Sequence, residues 1–77
     1  MPLEQPTLPV PTAPEEGSRW RHFKGGLYTV LKIARHSEDK NHFFVVYQND
    51  DTSEVWIRDL WSFLAINDDG TPRFARR

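Results

Sequence analysis

The segment Arg35-His36-Ser37-Glu38 holds the densest group of reactive side chains in this sequence. A histidine beside a carboxylate can position a proton, and an arginine can hold an anion. In an extended backbone His36 and Glu38 point to one side, and Arg35 and Ser37 to the other. Three interpretations stay open: a structural loop in which Glu38 pairs with Arg35, a ligand site, or a catalytic pair.

A second group of candidate residues lies just upstream, where Arg21, His22 and Lys24 are interleaved with Trp20 and Phe23. Basic groups beside aromatic rings can hold phosphates and stack on bases. The alternative is that both rings pack on the domain while the charged ends stay in water.

Trp56 and Arg58 form the third group. They alternate with Val55 and Ile57, so the two pairs face opposite sides of a strand. If Val55 and Ile57 fill the core, Trp56 is exposed beside a guanidinium, as in many recognition surfaces. If the strand is inverted, Trp56 belongs to the core. Tyr47 is expected near this surface, across a hairpin.

Neither a metal nor a cofactor is expected. The spacing of His22, His36 and His42 lacks a paired-ligand pattern, and the chain has no cysteine. The acidic pairs at 50–51 and 68–69 supply too few ligands for a calcium loop, and turn formation explains both. No glycine loop that could cradle a phosphate is present.

The elements that would position these residues are short strands. Asn49 to Ser53 reads as a hairpin loop, and Asp69-Gly70 as a turn. Strands are predicted over 27–34, 43–48 and 54–58, with a polar loop over 35–41, a helical turn over 60–65 and a last short edge strand opened by residues 72–74. The predicted fold class is all-β: a small SH3-like barrel of about five short strands with one short helical turn.

Composition divides the chain into two parts. Residues 1–17 hold five of the six prolines and no aromatic residue. They predict a disordered proline-rich tail, with a polyproline ligand as the alternative reading. Residues 18–77 carry ten basic and eight acidic side chains and predict the folded domain. That small excess does not by itself indicate nucleic-acid binding, so such a function needs a local patch.

The expected location is the cytoplasm. The chain has no cysteine for disulfides, which fits a reducing compartment. Its start lacks the basic and apolar pattern of a secretory signal. Since no apolar run approaches the length of a membrane span, we expect no membrane partner.

Five short segments together resemble a known family. They are residues 21–28 (RHFKGGLY), 34–38 (ARHSE), 45–47 (VVY), 56–58 (WIR) and 72–74 (PRF). The sequence resembles, over residues 20–74, a short bacterial family catalogued as domain-of-unknown-function family 1653. The resemblance implies a compact β-rich domain, alone or fused to others, and no agreed activity.

The chain departs from that family pattern at two places. Members commonly carry proline where Asp59 stands, and a Tyr-Gly-Asp-like loop where residues 49–53 stand.

These features favour a small binding module over an enzyme. The favoured ligand is anionic, either a nucleotide or a nucleic acid, and the oligomeric state is left open. One alternative is a protein-interaction domain that uses the same surface, and another is a small hydrolase that uses His36 and Glu38. The candidate ligand-binding residues are Arg21, His22, Lys24, Arg35, His36, Glu38, Tyr47, Trp56 and Arg58.

Overall fold

A computed structural model describes residues 13–77 and contains five strands and one short helix. No helix in this part of the chain is long and apolar enough to cross a membrane. The elements are β1 (Arg19–His22), β2 (Leu27–His36), β3 (Asp39–Asn49), β4 (Val55–Asp59), α1 (Leu60–Phe63) and β5 (Phe74–Arg76).

All five strands form one antiparallel sheet in the order β4-β3-β2-β1-β5. The predicted class, a small all-β domain of about five strands with one helical turn, is confirmed. Closure into a barrel is not observed: within residues 13–77 the sheet is open, with β4 and β5 at its edges. Phe63 of α1 stacks on Phe74 of β5 with ring centroids 4.1 Å apart. Because α1 directly follows β4, side-chain packing joins the two ends of the sheet without a hydrogen-bonded ladder.

Aromatic rings make up most of the core. Phe63 is fully buried and meets Trp20 and Tyr47 edge-on, at 5.3 and 5.4 Å between ring centroids. Edge-to-face ring pairs add to the stabilisation that comes from burying their area. The buried hydrophobic residues are Trp20, Val30, Val45, Tyr47, Leu60, Phe63 and Phe74. The sheet face that carries Val45 and Tyr47 is called the inner face below, and the opposite face the outer face.

The hairpin between β2 and β3 is longer than the sequence predicts. The polar loop expected over 35–41 is reduced to the two residues Ser37 and Glu38, because both strands continue past their apolar runs. Contacts between side chains support the extension. The Arg35 guanidinium lies 5.0 Å from the centroid of the Phe43 ring, on the facing strand. Polar residues thus extend a ladder that is fixed by its cross-strand pairs.

The predicted helical turn is present but ends at Phe63, two residues earlier than expected. Asp59 caps it by accepting a hydrogen bond from the Ser62 backbone N–H at 3.3 Å. Leu60 and Phe63 are buried, and Leu64 packs against the core, as their helical spacing predicts.

The hairpin loop between β3 and β4 has the expected turn chemistry. The Asn49 side chain accepts the backbone N–H groups of Asp51 and Thr52 at 2.8 and 2.9 Å. Such bonds from a side chain to its own loop are typical of turns that start with asparagine.

Residues 13–17 pack on the domain, although they belong to the predicted tail. Pro14 is fully buried, Ala13 contacts the core, and Gly17 N–H donates to the carbonyl of Val30 at 2.7 Å. The prediction for residues 1–12 lies outside the described part of the chain.

The orientation of β4 differs from the one that a buried Val55 and Ile57 would require. Trp56 pairs with the buried Tyr47, so Trp56 faces the inner side. Val55 and Ile57 face the outer side and are 55% and 63% exposed. Trp56 is nevertheless 48% exposed, because β4 is an edge strand at the margin of the core. Neither of the two alternatives for this strand is therefore correct as stated.

Candidate functional site

The turn between β1 and β2 depends on its two glycines. Gly25 has a φ of 108°, which other residues adopt at a cost in backbone strain. A Cβ on Gly26 would lie 2.8 Å from the Tyr28 ring, so only glycine lets the ring approach this closely. The resulting tight turn presents Phe23 and Lys24 on the surface, where both are exposed.

His22, at the end of β1, lies among aromatic rings. Its ring centroid is 4.6 Å from that of Phe23, 4.9 Å from Phe74 and 6.4 Å from Tyr28. The Nδ1 atom accepts the backbone N–H of Lys24 at 3.1 Å. The imidazole is thereby fixed in orientation by rings on three sides and by the turn itself.

Positive charge surrounds this imidazole. Burial, and then the charges of Arg58, Lys24 and Arg73, lower the pKa of His22 below its ordinary value of 6.5. Arg58 lies 6.0 Å from the centroid of the Phe74 ring, and Lys24 lies 5.6 Å from that of Phe23. We call the set His22, Lys24, Arg58 and Arg73 the His22 cluster.

Within residues 13–77, the cations of the His22 cluster form no ion pair. Arg19, Lys32 and Arg76, at other places, pair with carboxylates at 3.3 to 3.9 Å. In contrast, within the described residues, no carboxylate lies within 4.0 Å of the charged groups of Lys24, Arg58 or Arg73. The cluster is a local excess of positive charge on a domain with little net charge.

A groove of about 550 Å³ opens beside the cluster. Phe23 and Arg73 form one side, and the turn that follows α1 supplies a polar side with two carboxylates. A backbone bond from Thr71 lowers the pKa of Asp69, so this carboxylate is charged at neutral pH. The groove is lined by Phe23, Ile66, Asn67, Asp68, Asp69 and Arg73.

Arg73 has an unusual environment. Its Nε atom is buried and has no hydrogen-bond partner within residues 13–77. A buried donor without a partner costs about 1–3 kcal/mol of stability.

Comparison with known families shows which family this chain belongs to. The family model described as "Protein of unknown function (DUF1653)" matches residues 18–76. The chain belongs to the DUF1653 family. The resemblance seen in the sequence is thereby confirmed. Searches of curated proteins and of solved structures found no match to it.

The DUF1653 domain brings four of the predicted site residues together. His22, Lys24 and Arg58 belong to the His22 cluster, and the Tyr47 hydroxyl accepts from Arg58 Nε at 3.4 Å. Trp56 lies two positions before Arg58, on the same face of β4.

Arg21 is separated from the cluster by the alternation of β1. Trp20 is buried on the inner face and His22 pairs with Phe74, so Arg21 faces the outer side and is exposed there.

Arg35, His36 and Glu38 lie at the other hairpin of the DUF1653 domain, between β2 and β3. The Nδ1 atom of His36 accepts the backbone N–H of Glu38 at 3.0 Å, and its ring stacks on His42 with 5.6 Å between centroids. His42 Nε2 lies 2.9 Å from a carboxylate oxygen of Asp59. His36 and His42 lie on the outer face, because His42 stands three positions before the inward-facing Val45 of β3, whereas Arg35 lies over Phe43 on the inner face.

No group of three or more His, Cys, Asp or Glu side chains within the described residues is arranged to hold a metal ion.

The sequence-based selection missed Arg73 and the groove residues that follow α1. Arg73 is held beside the first turn by a backbone bond between the residue after β1 and the residue before β5, in which the Phe23 N–H donates to the Arg73 carbonyl at 2.9 Å. The only signal was indirect: residues 72–74 follow a predicted turn and lie in a segment that carries the family resemblance.

Proposed function

We propose that this domain binds a nucleotide in the groove beside the His22 cluster. The observation that carries the proposal is that Lys24 and Arg58 lie over the two rings that flank His22, and Arg73 lines the same groove as one of those rings, with no carboxylate within 4.0 Å of the three cations in the described chain. Phosphate oxygens are strong acceptors that would pair with guanidinium and ammonium donors in this position.

The aromatic part of the groove supports a planar ligand. Phe23 is 48% exposed, lines the groove and has Lys24 above its ring. Stacking of bases on exposed aromatic rings contributes about 1–3 kcal/mol per base in single-strand binding proteins. A base on Phe23 would leave its phosphate within reach of Arg73.

The polar side of the groove supports a ligand that also donates hydrogen bonds. Asn67, Asp68 and Asp69 face the groove and include two carboxylates, which accept bonds from hydroxyl or amino groups. A ribose or a base offers such donors, whereas inorganic phosphate offers few and should bind only weakly. A volume of about 550 Å³ is in the range of small-molecule sites, which favours a mononucleotide over a polymer.

The other functional alternatives receive less support. Within the described residues Glu38 contacts His36 through its backbone N–H, and no hydrogen bond joins their side chains, so a hydrolase that uses this pair is not proposed. A cytoplasmic location remains part of the proposal, since the chain has no cysteine and nucleotides are abundant in that compartment.

Isothermal titration calorimetry with a panel of mononucleotides tests the proposal. We expect saturable binding that weakens as salt rises, because the contacts are largely electrostatic. Arg73→Gln should weaken it by about tenfold or more, the usual effect of losing a charge-assisted bond. Arg35→Gln is the matched control, since it removes the same charge beside another aromatic ring, Phe43.

A second comparison separates stacking from charge. Phe23→Leu should weaken the binding of nucleotides and leave the weak response to inorganic phosphate unchanged. Equal loss of affinity in Arg35→Gln and Arg73→Gln, or the absence of any saturable response, would contradict the proposal.

A further inference from the structure

The free edge of β4 is the most conspicuous apolar feature outside the His22 cluster. Within residues 13–77, β4 is hydrogen-bonded to β3 on one side only. Val55, Trp56 and Ile57 are all large and exposed, and Trp61 just beyond them is 55% exposed. An exposed apolar edge strand is a site where another strand can add to the sheet.

The backbone groups available at this edge follow from the ladder between β3 and β4. The Asn49 N–H donates to the Glu54 carbonyl at 2.9 Å. In an antiparallel ladder bonded and non-bonded pairs alternate, so Trp56 and Arg58 also direct their backbone groups towards β3. The N–H and C=O groups of Val55 and Ile57 therefore point away from the sheet.

We propose that a second copy of this chain pairs with this edge, β4 against β4 and antiparallel, about a twofold axis at Trp56. The segment from Glu54 to Arg58 reads Glu-Val-Trp-Ile-Arg, which is complementary to itself when reversed. In this register Glu54 lies opposite Arg58 of the second copy, and the two-fold repeats the pair on the other side of the axis. Such self-complementarity is what a symmetric dimer interface requires.

In this register the outward-pointing backbone groups find hydrogen-bond partners, and side chains that lie opposite one another share a face of the sheet. Val55 lies opposite Ile57 of the second copy, so the backbone groups that point outwards bond each other on both sides of the axis. Those two apolar side chains meet on the outer face. The two copies of Trp56 form a non-bonded pair on the axis and face the inner side.

A shift of the second strand by two residues in either direction preserves the hydrogen bonds but loses the charge match. It centres the axis on Val55 or on Ile57, and it sets Trp56 opposite Glu54 or Arg58. Opposite charges across a strand pair stabilise it, and an unmatched charge does not. The register centred on Trp56 is thus selected by charge.

Arg58 can bond to Glu54 of the second copy and to groups of its own domain at the same time. Its Nε and Nη1 atoms donate to Tyr47 and Ser62 at 3.4 and 3.1 Å. A guanidinium has five N–H donors, so others remain for a carboxylate. Because one short strand pair buries less than the ~800 Å² per partner of standard interfaces, we expect a reversible dimer that depends on concentration.

Disulfide trapping tests the register, since the chain contains no cysteine of its own. Trp56→Cys places one thiol on the axis, where paired Cα atoms lie close enough for a disulfide. Under mild oxidation we expect this variant to form a covalent dimer on the order of tenfold faster than Val55→Cys or Ile57→Cys. Equal rates for the three variants would overturn the proposed register.

Charge exchange supplies a second test that leaves Trp56 in place. Glu54→Arg and Arg58→Glu should each weaken self-association by about tenfold, because each places like charges opposite one another twice. An equimolar mixture of the two variants should regain the dimer, since every pair in the mixed species is again opposite in charge. Sedimentation from micromolar to millimolar protein measures both results.

Two outcomes would overturn the dimer itself. They are a wild-type chain that stays monomeric at millimolar concentration, and a mixture that associates no better than its components. All these measurements are made without nucleotide, so they succeed or fail independently of the proposed binding function.

Discussion

Two turns of this domain contain the same kind of local hydrogen bond, but the residues around the two bonds differ. At the end of β1, Nδ1 of His22 accepts the N–H of Lys24 at 3.1 Å. At the end of β2, Nδ1 of His36 accepts the N–H of Glu38 at 3.0 Å. In both cases a histidine that ends a strand fixes the residue two positions later.

The surroundings of the two histidines differ in charge. His22 lies near Lys24, Arg58 and Arg73, and these charges help to lower its pKa. His36 stacks on His42, which is bonded to the carboxylate of Asp59. The first turn has unbalanced positive charge, whereas the second has acidic and basic groups together.

The comparison shows that a dense run of reactive residues in sequence is not the same as a site. Residues 35–38 are adjacent in the chain, but their side chains have separate partners: His36 contacts the Glu38 backbone and the His42 ring, and Arg35 contacts Phe43. The His22 cluster is collected from β1, β4 and the segment before β5, and its charges remain available. Ligand binding is therefore expected at the first turn and not at the second.

The largest effect is expected from removing the ring that supports the first turn. Phe74 is buried, stacks on Phe63 and contacts the ring of His22. Phe74→Ala should lower the free energy of unfolding by about 3–5 kcal/mol. Phe44→Ala, the equivalent change under His42, should cost about 1 kcal/mol because Phe44 is only partly buried. Denaturant unfolding measures both, and equal losses would contradict the assignment of the core to the inner face.

A smaller effect is expected from the backbone of the same turn. Gly25→Ala forces a side chain into a φ of 108°, at a cost of about 1–3 kcal/mol. Ser37→Ala at the second turn, which carries no positive φ, should change stability by less than about 0.5 kcal/mol. Thermal unfolding of the two variants compares them, and a Gly25→Ala protein as stable as the wild type would show that the turn can relax.

The pH dependence of stability should distinguish the two histidines further. The pKa of His22 is lowered from 6.5, so the unfolded chain binds this proton more readily than the folded one. The contribution of neutral His22 is therefore complete above pH 6.5 and is lost as pH falls through the lowered pKa. His22→Gln should lose less stability than the wild type between about pH 7 and pH 5. Nuclear magnetic resonance titration should also show the pKa of His22 rising when an anion binds.

The smallest effect is expected at the second turn. His36→Ala removes one bond to the Glu38 N–H at an exposed site and should cost about 0.5–1.5 kcal/mol. Nucleotide affinity should stay within about twofold of the wild type, a change below 1 kcal/mol. A large loss of nucleotide affinity in this variant would indicate that the ligand binds at the outer face.

Local patterns predicted much of the fold. The apolar runs of β2 and β3, the Asn49 loop and the buried pair Leu60 and Phe63 were all visible in the sequence, since each depends on neighbours along the chain. The length of the β2–β3 hairpin was not visible in the sequence, because Arg35 and His36 are held by partners on the facing strand. Their polar character gave no sign of that ladder.

The site was predictable only in part. His22, Lys24 and Arg58 were chosen from local composition, and the structure brings them together. Arg73 was missed, because its approach to Phe23 depends on how the segment before β5 lies beside the first turn. The exposure of Trp56 depends on β4 being an edge, which is a property of strand order and not of the strand's own alternation.

The burial of Pro14 bears on where the independently stable unit begins. The family match starts at residue 18, yet Pro14 is fully covered and Ala13 touches the core. A chain trimmed to the family boundary would leave the apolar surface beneath them open to water. A chain that begins at Ser18 should therefore be less stable than one that begins at Ala13, and the shortest fragment that keeps full stability includes at least five residues ahead of the matched domain.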